Sequence, residues 1–352
     1  MSGGVESLKP RVAAAVDRLA DELEALSHRI HDNPELAFKE EQAYAWLTEF
    51  LETHDAKVER AVGGLPTAFR ATIEGAGPGP TIAIMAEYDA LPGIGHACGH
   101  NVIATAGTGA GVALAVALGT LPFPGRIQVI GTPAEEGGAG KVKLMEAGVF
   151  KGVDAAMMIH GRCGTQVWRP TLGIIKVKAE FYGKATHASS WPWRGVNALN
   201  AVIQLFVALD QLRQQLRPDA RVHGIIVKGG EQPNIIPEYT RADFYLRALT
   251  SDSVKELLRR FTACAEGAAA ATGCRLEVTV DPTSQALPTI HPYIRISPDG
   301  VPGHSREFAE WARSPMARAG LVAGAKALAL TALDLLAAPE RLRAAKDEFN
   351  RS

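Results

Sequence analysis

Four cysteines in a chain of 352 residues are too few and too scattered for a disulfide framework, which suits a reducing compartment. An excess of one charge is missing as well. The 37 Lys and Arg against 38 Asp and Glu leave a formal charge of -1, with no sign of attraction to nucleic acid or to a membrane surface. The first residues, Met1-Ser-Gly-Gly-Val-Glu-Ser7, have no basic stretch followed by an apolar core, so no signal peptide is expected and the cytoplasm is the expected compartment. Repeats and low-complexity linkers are absent: Gly75-Ala-Gly-Pro-Gly-Pro80 reads as a turn-rich connection and Ala263 to Ala271 as an alanine-rich helix end. The one long uncharged stretch, Val102 to Leu121, is diluted by threonine and glycine, so a buried helix explains it better than a membrane span.

What is present is apolar content, 47% of residues, in a chain longer than a single core usually supports, so two domains are expected. From about Pro10 to Arg169, amphipathic helices such as Val12 to Asp32 and Glu41 to His54 alternate with short buried strands, as an α/β fold with a helix-flanked, mostly parallel sheet requires. From Leu172 the texture changes. Gly173 to Tyr182 alternates as a half-exposed strand, Val196 to Leu216 is helical, Val222 to Val227 and Thr240 to Arg247 are strands, Ser253 to Ala271 is helical, and Arg275 to Val280 is a strand. The order β-α-β-β-α-β is that of a ferredoxin-like domain. The expected division is residues 1–171 and 283–352 for the first domain, with 172–282 inserted between them.

The densest chemistry lies in Gly95-His-Ala-Cys-Gly-His-Asn101. A Cys-x-His spacing lets one tight turn deliver a sulfur and an imidazole to one metal, and Cys98 and His100 have it. The apolar run Thr81 to Ala86 reads as a buried strand that delivers Glu87 and Asp89 to the same edge, and the glycines in the helix after Asn101 fit close packing on a sheet. Ile127 to Gly131 reads as a second strand, followed by Glu135 and Glu136; adjacent glutamates point different ways, so one can bind metal while the other carries a proton. A third strand, Ala155 to Ile159, ends in His160. Each feature has an ordinary alternative: cysteine and histidine buried for packing, a surface turn with two solvated carboxylates, Asp89 as a strand-end cap. Three strand ends that carry metal-competent residues at one sheet edge favour a metal centre.

Taken together, Tyr88-Asp-Ala-Leu-Pro92, the His96 to Asn101 block, Pro133-Ala-Glu-Glu136, His160-Gly161, Gly183-Lys-Ala-Thr-His-Ala188 and Gly303-His-Ser-Arg-Glu-Phe308 resemble the co-catalytic metallopeptidase family of aminoacylases, hippurate hydrolases and carboxypeptidase G. Within it the chain looks most like the branch of p-aminobenzoyl-glutamate hydrolase subunits and β-alanyl-lysine-type dipeptidases. The resemblance runs from about His31-Asp-Asn-Pro-Glu35 to the C-terminal helix. It implies two divalent ions, zinc or manganese with cobalt able to substitute in vitro, held by Cys98, His100, Glu136, His160 and His304. Cys98 would bridge them, and Glu135 would be the general base. Asp89 matches a position suited to orienting a ligand imidazole. His96 and His291 look like donors, yet the family pattern does not use His96 so, and His291 more naturally shapes the loop ahead of His304.

The implied chemistry is hydrolysis of the amide bond in a small N-acyl amino acid, aryl-glutamate or dipeptide, in which a glutamate takes a proton from water and passes it to the leaving nitrogen. In the insertion His187, Asn234 and Arg247 match positions that contact substrate, His187 as an oxyanion donor reaching across a homodimer. Their plain alternatives are two turn residues and an exposed strand arginine, and Arg241 shares the strand phase of Arg247. Cys163, Cys264 and Cys274 are expected to be packing residues. One departure stands out: Asp281-Pro-Thr283 runs almost directly into Ser284-Gln-Ala-Leu-Pro288, where relatives have a helix, a strand and a substrate-binding loop. The alternatives to a metal-dependent hydrolase are a metal-retaining binding protein without turnover and an enzyme that uses Cys98 as a nucleophile.

Overall fold

A computed structural model describes residues 2–119, 121–168, 172–280 and 287–350; the junction at 281–286 lies outside them. The chain divides into two units, one formed by Met1–Arg169 with Gln285–Arg351 and the other by Pro170–Ser284.

In the first unit, α1 (Ser2–Asp32) buries Val12, Val16, Leu19, Leu23, Leu26 and Ile30, spaced three or four residues apart on one face. There follow α2 (Glu41–Thr53), β1 (Lys57–Arg60), β2 (Phe69–Glu74), β3 (Thr81–Ala86), α3 (His100–Leu118), β4 (Arg126–Gly131), α4 (Glu135–Gly138), α5 (Gly140–Glu146), β5 (Ala155–Met157) and β6 (His160–Arg162). The main sheet has the order β1-β2-β4-β3-β5, with a last strand from beyond the second unit completing it. Its inner pairings, β4 with β3 and β3 with β5, are parallel, whereas β1 and β2 form an antiparallel edge. The uncharged run lies in α3, a core helix. A Cβ on Gly111 would come 2.4 Å from Val129 on the sheet, and one on Gly109 would come 2.6 Å from Leu23 of α1, so the small residues let helix and neighbours approach.

The second unit runs β7 (Gly173–Tyr182), α6 (Ala198–Arg213), β8 (Arg221–Lys228), β9 (Tyr239–Ala248), α7 (Ser251–Thr272) and β10 (Arg275–Val280). Its antiparallel sheet has the order β10-β7-β9-β8, the ferredoxin-like arrangement. Alternate residues Ile175, Val177, Ala179 and Phe181 of β7 and Ala242, Phe244 and Leu246 of β9 are buried in one core with Leu205 of α6 and Phe261 of α7. Asn197 and Thr250 cap the two helices through their side-chain oxygens. Cys264 and Cys274 pack at the margin of this core, and all four cysteines are free.

The chain then returns to the first unit as β11 (Thr289–Ile290), parallel to β5, and β12 (Tyr293–Arg295), followed by α8 (Arg306–Trp311), α9 (Pro315–Ala337) and α10 (Pro339–Phe349). The third strand differs from the sequence expectation. It ends at Met157, and His160 instead opens β6, which pairs with β12. The chain leaves the main sheet here because its partner does: the backbone of His160 donates to Pro292 O, two residues past β11.

Candidate metal centre

Strand alternation aims the first residues. The Tyr88 ring is fully buried and stacks on Phe69 at 6.1 Å, so Glu87 and Asp89 on either side of it point the other way. Gly99, with φ 78°, makes the turn between Cys98 and His100 and opens α3. Ala134 is also left-handed, with φ 59°, and its N–H donates to Glu40 Oε1 at 2.8 Å, which sets the turn ahead of Glu135 and Glu136. His304, φ 61°, is latched by its own N–H to Ala97 O at 2.9 Å.

His100 Nδ1 lies 2.8 Å from Asp89 O and 3.1 Å from Asp89 Oδ1. A carbonyl only accepts, so Nδ1 carries a proton and Nε2 is the nitrogen left to take a cation, whether metal ion or second proton. The other oxygen of Asp89 accepts from Glu136 N at 2.8 Å. His160 is held alike, Nδ1 donating to Gly161 O at 2.8 Å while Nε2 sits 3.3 Å from Cys98 Sγ. Glu136 Oε1 is 3.9 Å from His100 Nε2 and 3.2 Å from His304 Nε2, and Glu135 Oε2 is 3.9 Å from His100 Nε2. The donor atoms fall into three overlapping sets, each within 4.8 Å: Cys98, His100 and His160; Cys98, Glu136 and His304; His100, Glu135 and Glu136.

The electrostatics fit a cation. His100 Nε2, Glu87 Oε2 and Glu136 Oε1 are inaccessible and without hydrogen-bond partners. Burial disfavours charge on His100, but Asp89, Cys98 and Glu87 outweigh it and raise its proton affinity well above the ordinary value, so the field there favours positive charge. Burial, with the Glu136 charge adding to it against His100, pushes the Cys98 thiol up to about 11. Burial, with the neighbouring His100 and His291 adding to it against Glu87, pushes the His160 imidazole down to about 4. Burial, then the neighbouring Glu87 charge, raises Glu135. Sulfur, nitrogen and oxygen donors with several orphaned lone pairs match a borderline divalent cation.

His96 is buried beside His31, with ring centroids 6.1 Å apart, and His291 stands against His160 at 5.4 Å; neither joins a donor set. Two residues to which the sequence assigned no role belong here. Glu87, 3% exposed, is ion-paired with Lys141 of α5. Burial raises its pKa, but the charges of Lys141, His100 and His160 outweigh this and hold it down to about 2. The only signal for Glu87 was its strand phase with Asp89; Lys141 had none.

In the second unit, His187 and Asn234 are exposed and adjacent: His187 bridges to Ile235, and Ala188 N donates to Asn234 O at 2.9 Å. Ser189 N donates to His187 Nδ1 at 3.3 Å, so Nε2 bears the proton. Arg247 lies near the far end of β9, on the order of 25 Å by strand rise from Tyr239 at its start. Arg241, its in-phase alternative, is taken up by Asp243 through two hydrogen bonds.

Residues 171–272 match the peptidase dimerisation domain. The chain is 37% identical over 400 residues to the Xaa-Arg dipeptidase of Mus musculus, covering 98% of this chain and 93% of that protein. It is 31% identical over 320 residues to thermostable carboxypeptidase 1 of Saccharolobus solfataricus, covering 81% of this chain and 78% of that protein. The stretch shared with the mouse protein is longer than this chain, so the mouse protein carries residues that this chain lacks. The fold is similar to that of a dinuclear metal-binding peptidase of the M20 family from Bacillus subtilis, with TM-score 0.70 and 21% identity over 91% of this chain and 99% of that one. By its likeness to the mouse dipeptidase over nearly its whole length, the chain belongs to the M20 peptidase family, metal-dependent hydrolases of amide and peptide bonds.

Proposed function

We propose that Cys98, His100, Glu136, His160 and His304 hold two divalent ions, zinc or manganese, and that Glu135 is the general base for hydrolysis of a small dipeptide or N-acyl amino acid. The observation that carries this is sharing. Cys98 belongs both to the set with His100 and His160 and to the set with Glu136 and His304, so one sulfur serves two clusters. Divalent ions there would supply Lewis acidity toward the amide carbonyl and toward water. Glu135, 44% exposed at the side chain and therefore open to solvent, takes the water proton and delivers it to the leaving nitrogen. Asp89 keeps His100 in the tautomer that leaves Nε2 free.

His187 Nε2–H donates to the developing oxyanion, and Asn234 and Arg247 recognise a free carboxylate on the leaving residue. Because His187 lies beside Ile235, ahead of β9, and Arg247 near the far end of that strand, we assign them to different sites of a homodimer. Support for that dimer comes from the edge strand β8, which exposes Ile225 and Val227, and from α6, which exposes Ile203 and Val207. The protein would work in the cytoplasm, away from membranes and nucleic acid. Xaa-Arg dipeptides head the substrate series on the strength of the mouse relative. The test is a hydrolysis panel of Xaa-Arg and Xaa-Lys dipeptides, aryl-glutamates and N-acyl amino acids, with zinc, manganese or cobalt added after chelation. Turnover of at least one class that returns only with metal is expected; equal turnover in fully demetallated protein overturns the reading.

A further inference from the structure

Glu87 and Lys141 are built into the centre, yet the reaction above uses neither. Glu87 Oε1 accepts from Lys141 Nζ, while Glu87 Oε2 is buried without a partner 3.5 Å from His100 Nε2, the nitrogen whose lone pair faces the other donors. Lys141 stands at the second position of α5, just after the turn that carries Glu135 and Glu136. Its charge acts on Glu135 and Asp89 as well as on Glu87. A lysine with an unpaired ammonium would extend into solvent, but the buried carboxylate holds this half-buried one against the centre. A positive charge is therefore fixed one carboxylate away from the donor atoms.

We propose that Lys141, tethered by Glu87, is a positioning residue that sets the metal affinity of the centre. The fixed ammonium repels a divalent cation at the neighbouring donors and holds one oxygen of Glu87 away from it. The ions are then bound less tightly than their five donors alone would bind them, which keeps them exchangeable. Like charges a few ångströms apart in a shielded pocket interact strongly enough for one lysine to change affinity by an order of magnitude. The inference rests on the reading that these donors hold divalent ions.

The test is calorimetric titration of the full chain with manganese(II) chloride, for the unaltered protein and for Lys141→Met, Lys141→Gln, Lys141→Arg, Glu87→Gln and the double variant Glu87→Gln/Lys141→Met. Lys141→Met and Lys141→Gln should bind about tenfold more tightly or better, and Lys141→Arg, which keeps the charge, should match the unaltered protein. Glu87→Gln should bind about tenfold more weakly, and adding Lys141→Met to it should change affinity by no more than about twofold, because an untethered lysine swings out to solvent. If the unaltered protein binds no manganese(II), the metal-centre reading fails. If it binds and both neutral Lys141 variants bind equally or more weakly, this proposal alone fails; should one of them not fold, the other decides.

Discussion

His100 and His187 are both assigned to the reaction, and their surroundings are opposite. His100 is inaccessible, and Asp89 clamps it with the proton on Nδ1. His187 is exposed, takes a backbone N–H at Nδ1, and so presents its proton on Nε2. The first tautomer suits a metal ligand and the second a hydrogen-bond donor to an oxyanion. The difference extends to the units that carry them. The first unit closes polar groups inward around buried donor atoms, whereas the second turns polar and apolar groups outward to solvent.

The comparison breaks most completely at the buried side. Exhaustive chelation is expected to abolish hydrolysis, with recovery on adding manganese, zinc or cobalt, as followed by a dipeptide assay with metal analysis. Next comes the exposed histidine. His187→Ala should lose ~10²–10³ in turnover with unchanged metal content. Mixing it with Glu135→Gln should restore part of the activity, since one composite site of the mixed dimer is intact; protomers that exchange without recovery would place His187 in its own protomer's site or outside catalysis. The adjacent glutamates sharpen the contrast within the first unit. Glu135→Gln should lose on the order of 10²-fold in turnover and keep its metals, while Glu136→Gln should lose metal too. Asp89→Asn should weaken metal binding by roughly 10–100-fold, as measured by competition with a chelating dye, because the imidazole loses its clamp. The smallest effect belongs to the outward face. Ile225→Lys on β8 should weaken self-association by about tenfold in sedimentation, with metal content unchanged.

The strands that end at the centre were legible because buried parallel strands are written as apolar runs, and Thr81–Ala86 is one from end to end. The second unit was legible element by element, since β7 and β9 alternate cleanly, although the helices were placed without their caps and so begin two residues early for α6 and two late for α7. The outermost strand went unread: Lys57–Arg60 is mostly exposed and has no apolar phase to betray it. Contacts between distant residues were invisible for a different reason. The hydrogen bond from Ala134 to Glu40 and the ion pair of Lys141 with Glu87 arise only once strands and helices have been placed, and no local spacing encodes them.

The hydrogen bond from His304 to Ala97 also has a consequence for biosynthesis. A ribosome that has reached the second unit has already made Cys98, His100, Glu135, Glu136 and His160, but the residue that closes the cluster lies beyond that whole unit. A nascent chain therefore cannot bring the full set of donors together until the C-terminal segment folds back onto the segment before α3. Closing so long a loop costs little more entropy than closing one of half the length, but it must await translation. The donors thus come together late, because the first unit needs α9, which shares a core with α1 and α3, to complete its fold.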